Sequence, residues 1–193
     1  MHKIAAIDAG SNAMRMVVGE VDDNWQVRPV ENVRLPVRLG QDVFASGAFQ
    51  EQTIGQAVEA FLHFQRLARD LGVARTRAVA TSAMREARNT DILLDRILRA
   101  SGIEVEVISG AEEARLIHVA VAAALKLSGK RAVLIDIGGG SVEVTVSEDA
   151  NIVSTESYNL GTVRLLQNLD GGQEASAGGR PFAGLLREYA EAA

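Results

Sequence analysis

The stretch LIDIGGGSVEV, residues 134–144, runs from apolar residues into an aspartate, three glycines, a serine and an alternating apolar strand. Three glycines inside strand-forming sequence cost conformational entropy and supply no packing. Such a turn is either a permissive hairpin or a place where the backbone must approach something closely. The pattern occurs twice. A shift of 128 residues lays Ile7–Asp8–Ala9–Gly10 on Ile135–Asp136–Ile137–Gly138, with Ser11 and Asn12 on Gly139 and Gly140, Val18 on Val146 and Glu20 on Glu148. Both copies read strand, aspartate, glycine turn, strand, acidic turn, strand, which predicts an internal duplication.

Outward from these turns, apolar alternation predicts strands at Lys3–Asp8, Met14–Val21 and Trp25–Val37, with turn chemistry in the Asp22–Asp23–Asn24 run. Helical spacing follows over Thr53–Leu71, with Gly72 as its C-terminal stop, and from Asn89 or Thr90 to Gly102. Short strands are expected at Arg77–Thr81 and Glu104–Ile108. The helix expected over Ala111–Ser128 is apolar on nearly every face, so burial is expected for it. The order βββαβαβα makes residues 1–128 a first α/β domain and residues 129–193 the start of a second. After a strand ending at Tyr158 and a short helix over Thr162–Leu169, the polar run DGGQEASAGGRP leads to an amphipathic helix, Phe182–Ala192. The later β-α-β-α part of the second copy is missing, so the chain reads as a fragment or a natural short form. Ala132–Ile137 is then expected to be an apolar edge that invites pairing with a second copy, a homodimer.

Composition bounds the function. Of 193 residues, 47% are hydrophobic and 23% charged, an ordinary globular balance. No run approaches a membrane span, and the N-terminus has no signal-peptide pattern. The absence of cysteine excludes disulfides and thiolate metal sites and fits a cytoplasmic protein. A net charge of −5 argues against duplex nucleic acid as the main partner. The 20 basic residues include only Lys3, Lys126 and Lys130 as lysines; this arginine excess reads either as codon bias or as guanidinium forks for phosphate. His2, His63 and His118 share no metal-ligand spacing.

In each copy the glycine turn leaves backbone N–H groups for an anion, and the preceding aspartate is an oxygen ligand suited to a hard cation such as Mg²⁺. Two such turns, facing one another across a pseudo-dyad, would hold a phosphate chain. ISGAEEARLI, residues 108–117, is the second constellation. Ser109 and Glu112 form a capping box, which accounts for Glu112. Glu113 is either an acid favoured near the positive end of the helix or a general base aimed at a water. Arg115 is either a solvated charge or a positioner. In TSAMREARN, residues 81–89, Arg85 leaves a strand end where α/β sheets line clefts. It is the first phosphate candidate among the arginines, followed by Arg38 and Arg15.

These residues carry a resemblance. IDAGSNAMRMVV, VRLG, ATSAMREARN, ISGAEEARLI, DIGGGSVE and NLGTVRL occur in the order and spacing of the Ppx/GppA family of exopolyphosphatases and guanosine pentaphosphate phosphatases, over roughly residues 3 to 166. The resemblance implies the α/β actin, sugar kinase and Hsp70-like (ribonuclease H-like) fold of duplicated domains, the second incomplete here. It implies hydrolysis of a terminal phosphoanhydride bond, with Mg²⁺, of inorganic polyphosphate or guanosine pentaphosphate (pppGpp). By motif position Glu113 resembles the family's catalytic glutamate, and Asp8 and Asp136 its cation-associated acids. Gly10, Ser11 and Asn12 resemble one phosphate loop, and Gly138, Gly139, Gly140 and Ser141 the other. Arg15 and Arg85 match arginines near the phosphate path. Ala13 and Val142 depart from the usual serine and threonine. Two further readings compete: a module that binds polyphosphate or a guanosine alarmone without turnover, and kinase-like transfer on the same architecture.

Overall fold

The computed structural model describes residues 2–170, and the helix expected over Phe182–Ala192 lies outside them. The chain divides between Ile108 and Ser109 into two units. In the first, β1 (His2–Ala9), β2 (Met14–Val21) and β3 (Val27–Leu35) form an antiparallel meander, and β4 (Val73–Ala80) and β5 (Val105–Val107) add in parallel beside β1. The sheet order is β3-β2-β1-β4-β5. Parallel pairing needs crossovers, which are supplied by α2 (Glu51–Asp70) and α4 (Thr90–Ser101).

The period-2 alternation places Ala5, Ile7 and Ala9 of β1 and Met14, Met16 and Val18 of β2 on one face, and all six are buried. Against them lie Ile54, Ala57, Phe61 and Phe64 of α2 and Leu93 and Ile97 of α4, in one core. Phe61 and Phe64 meet edge to face with centroids 6.0 Å apart. The opposite face of the sheet carries Asp8 and Arg15, direct partners across the β1–β2 ladder.

Two short helices escape the periodicity argument: α1 (Leu39–Ser46) and α3 (Ser82–Glu86). Each has too few turns to display a repeat, and α1 lies between the strand expected to end at Val37 and the helix expected from Thr53. Trp25, expected in the third strand, is a turn residue with φ 61° and 80% exposure. Asp22 builds that turn, its carboxylate accepting from the amides of Asn24 and Gln26.

The second unit is a three-stranded antiparallel sheet, β6 (Arg131–Ile137), β7 (Val142–Glu148) and β8 (Asn151–Tyr158), with α5 (Gly110–Ala124) packed on it and α6 (Thr162–Asp170) after it. Here the boundary differs from the expected one at residue 128. Helix α5 goes with the second unit because its small and polar stripe, Ala114 and His118, packs on β7 and β8. Burial of this helix is also less than its composition suggests: Val119 is 52% exposed, and only Ala114 and His118 are buried.

The face that α5 covers is polar. Glu143, Thr145 and Ser147 of β7 are buried there, His118 Nε2 meets Ser147 Oγ at 3.0 Å, and Thr145 meets Thr155 at 3.1 Å. The other face is apolar and open. Val133, Ile135 and Ile137 of β6 are 61%, 63% and 64% exposed, and β6 is the edge strand of the described sheet, as expected.

Candidate functional site

In an antiparallel ladder, residues directly opposite each other project side chains to the same face. Asp136 of β6 stands opposite Glu143 of β7, and Glu143 stands opposite Ser157 of β8. One row therefore crosses the second sheet: carboxylate, carboxylate, hydroxyl. Two like charges directly opposite are destabilising unless something of opposite charge sits with them.

Helix α5 brings the third acid. Ser109 caps its start, accepting the Glu112 amide at 3.2 Å, while the Glu113 amide donates to the Ser109 carbonyl at 2.9 Å. The cap fixes the first turn, and Glu113 lies in it. Carboxylate oxygens of Glu113, Asp136 and Glu143 all come within 4.8 Å of one another. Glu143 is 2% exposed; Ser157 Oγ donates to its Oε1 at 2.8 Å, and its Oε2 is buried with no hydrogen-bond partner among the described residues. Stranding a buried carboxylate oxygen costs at least about 1–3 kcal/mol. Three convergent carboxylates, one of them with an orphaned buried oxygen, fit a divalent cation of the Mg²⁺ or Ca²⁺ type, which takes carboxylate ligands.

Glu112 and Glu113 part company. Glu112 grips Arg115 through both oxygens, at 2.7 and 2.8 Å. That hydrogen bond first, and the carboxylate charge second, hold the Arg115 guanidinium above its ordinary pKa. Arg115 is thus an exposed intrahelical partner of Glu112.

Beside the acids, the glycine turn is closed by its own bonds. The Gly138 amide donates to the Ser141 carbonyl at 2.9 Å, and Gly140 and Ser141 are buried. The first amides of α6 take the carbonyls: Thr162 donates to Gly138 at 3.0 Å and Val163 to Gly139 at 2.8 Å. Arg164 Nε donates to the Gly140 carbonyl at 2.8 Å. Gly161 must be side-chain-free here, because a Cβ would collide with the backbone of Gly139 and Gly140. The carbonyl side of the turn thus faces α6, and Gly138 and Gly139 keep partial exposure.

The first unit repeats this design with different charges. A Cβ on Gly10 would lie 3.1 Å from the Ala13 carbonyl, and one on Gly138 would lie 3.1 Å from the Ser141 carbonyl. The Gly40 amide at the start of α1 donates to the Ser11 carbonyl at 2.7 Å, as α6 does to its turn. Ser11 is buried, sharing a 2.8 Å bond with Ser82 Oγ and accepting the Ala83 amide at 3.2 Å; Asn12 is exposed. Arg85 is half-buried and donates to the Ile108 carbonyl at 2.7 Å. Asp8 stands opposite Arg15, an acid facing a base, whereas Asp136 stands opposite an acid. Among the described residues, Glu113, Asp136 and Glu143 are grouped closely enough to hold an ion.

Glu143 is the site residue that motif reasoning missed. The signal was available: in VEVTVS, valines alternate with Glu143, Thr145 and Ser147, so the acid shares a face with Asp136.

A duplicated α/β chain with a glycine turn in each unit and an acid trio in the second defines the class, and comparison with known proteins specifies it. Residues 17–173 match the Ppx/GppA phosphatase family, and the chain belongs to that family. It is 34% identical over 173 residues to exopolyphosphatase 2 of Mycobacterium tuberculosis, covering 86% of this chain and 54% of the relative. A guanosine-5'-triphosphate,3'-diphosphate pyrophosphatase of Photobacterium profundum is 34% identical over 164 residues, covering 84% of this chain and 32% of the relative. The crystal structure of an exopolyphosphatase from Cytophaga hutchinsonii superposes with a TM-score of 0.83 at 30% identity, over 86% of this chain and 53% of that one. The expected α/β fold class is therefore borne out. The chain spans about half the length of the exopolyphosphatases it matches. Among the described residues, no helix is long and apolar enough to cross a membrane.

Proposed function

We propose that this chain carries the catalytic acids of a phosphoanhydride hydrolase that removes terminal phosphate from inorganic polyphosphate or from pppGpp. The observation that supports this most directly is the convergence of Glu113, Asp136 and Glu143 within 4.8 Å of one another, with a buried, unpartnered oxygen on Glu143. Family membership supplies the reaction class.

In this reading Asp136 and Glu143 hold Mg²⁺, and Glu113 orients the attacking water and takes its proton. The cation, when bound, supplies charge neutralisation on the phosphate oxygens. Glu113 suits the base role because the Ser109 cap fixes its backbone, and positioning is most of what phosphoryl transfer needs. The turn Gly138, Gly139, Gly140 and Ser141 is proposed to present its amide side to phosphate, its carbonyl side being taken by α6. In the first unit, Gly10, Ser11 and Asn12 are proposed to contact phosphate through backbone, since the Ser11 hydroxyl already serves Ser82 and Ala83. Arg15 and Arg85 are the proposed guanidinium contacts, and Asp8, which faces Arg15 across the ladder, is the proposed cation-associated acid of the first unit.

The test is phosphate release from polyphosphate and from pppGpp, each with and without Mg²⁺. Glu113→Gln is expected to lower the rate about 10²–10⁴-fold, the usual weight of a general base. A Glu113→Gln protein at full rate would remove that residue from the mechanism. A second reading is a binding module that holds polyphosphate without turnover. Saturable calorimetric binding of polyphosphate with no phosphate release would select it.

A further inference from the structure

We propose that Ser157 is a positioning residue that presents Glu143 to the divalent cation, an inference that rests on the metal-centre reading above. Three observations carry it. Ser157 and Glu143 are direct partners on β8 and β7, so the ladder itself sets their spacing. Ser157 Oγ donates to Glu143 Oε1 at 2.8 Å, which occupies one carboxylate oxygen and leaves the buried Oε2 as the one available to an ion. The start of α5 closes on the same pair. A Cβ on Gly110 would lie 2.7 Å from Ser157 Oγ, 2.8 Å from its Cβ and 3.9 Å from Glu143 Oε1.

The physical consequence is orientation. The terminal torsion of a glutamate is broad, so an unanchored carboxylate samples many planes. A hydroxyl bonded to Oε1 removes that freedom and fixes where Oε2 points. Because Gly110 starts the helix whose first turn carries Glu113, the Ser157 contact also sets how near Glu113 approaches Glu143. A side chain at Gly110 would push the helix start away. Partners of this kind, behind a metal ligand, typically govern metal affinity by about 10–100-fold.

The test uses the 193-residue chain, Mg²⁺ titration by calorimetry, and melting curves recorded in EDTA. Ser157→Val and Ser157→Thr are matched in shape and differ in the hydroxyl. Ser157→Val is expected to weaken Mg²⁺ binding about 10–100-fold, and Ser157→Thr to stay within a few-fold of the unmodified chain. Melting in EDTA separates this from folding, since a purely structural serine would lower the melting temperature without changing the affinity of the folded protein. Equal Mg²⁺ affinity in the Val and Thr variants, with Glu143→Gln still losing binding, would overturn the positioning role and leave the metal centre standing. Unchanged binding in Glu143→Gln, or no saturable binding in the unmodified chain, would overturn the metal-centre reading and this inference with it.

Discussion

Asp136 and Glu143 face each other across a ladder, and the energetics of that pair change sign with the ion. Without a cation, like charges directly opposite cost roughly 0.2–1 kcal/mol. Asp136→Asn is therefore expected to raise the melting temperature in EDTA by up to about 4 °C for a chain of this size. In saturating Mg²⁺ the order should reverse, because only the chain with both acids gains binding free energy. Melting curves in the two buffers check this, and a variant less stable than the unmodified chain in EDTA would contradict it. Asp8 offers the contrast. Its ladder partner is Arg15, so the equivalent acid in the duplicate faces a base rather than a second acid. A motif reading treats the two aspartates alike, since both precede a glycine turn. The residue seven positions on, Arg15 in one copy and Glu143 in the other, is what separates them.

At the scale of elements, the glycine turn and α6 form one device. Helix amides bind the turn's carbonyls, Arg164 binds a third, and Gly161 allows the contact by lacking a Cβ. Gly161→Ala places a methyl against the Gly139 and Gly140 backbone. It is expected to destabilise by about 1–3 kcal/mol, the usual penalty of overpacking, read by urea denaturation. A neutral result would mean that the turn yields without cost. This device was legible only in part. NLGTVRL marks a helix start and DIGGGSVE a turn, but their mutual packing is a tertiary contact that local periodicity does not encode. The long strands and helices were legible because α2 and α4 repeat their apolar residues over several turns. Helices α1 and α3 were not, having eight and five residues. Helix α5 misled in another way: composition suggested burial, while its packed stripe is the short pair Ala114 and His118 on a polar sheet face.

Across the whole molecule, the duplication places identical side chains in opposite environments. Ile7 and Ile135 occupy equivalent positions, yet Ile7 is 2% exposed beneath α2 and α4, and Ile135 is 63% exposed. Ile7→Ala should cost about 2–5 kcal/mol, as large-to-small changes in packed cores do. Ile135→Ala should cost a small fraction of that, because little buried surface is lost. Chemical denaturation of both variants checks the difference, and equal losses would show that Ile135 is covered in solution. The same asymmetry extends to the buried layers: the first unit has the extensive apolar core, and the second carries the acid trio on a polar layer.

The central claim is that Asp136 and Glu143 hold a divalent cation with Glu113 beside it. An anomalous difference map from crystals of this chain grown with Mn²⁺ in place of Mg²⁺ tests it most directly. The account predicts a peak within coordination distance of the Asp136 carboxylate and Glu143 Oε2, with Glu113 beside it. Manganese peaks found only elsewhere, with these three carboxylates unliganded, would contradict it.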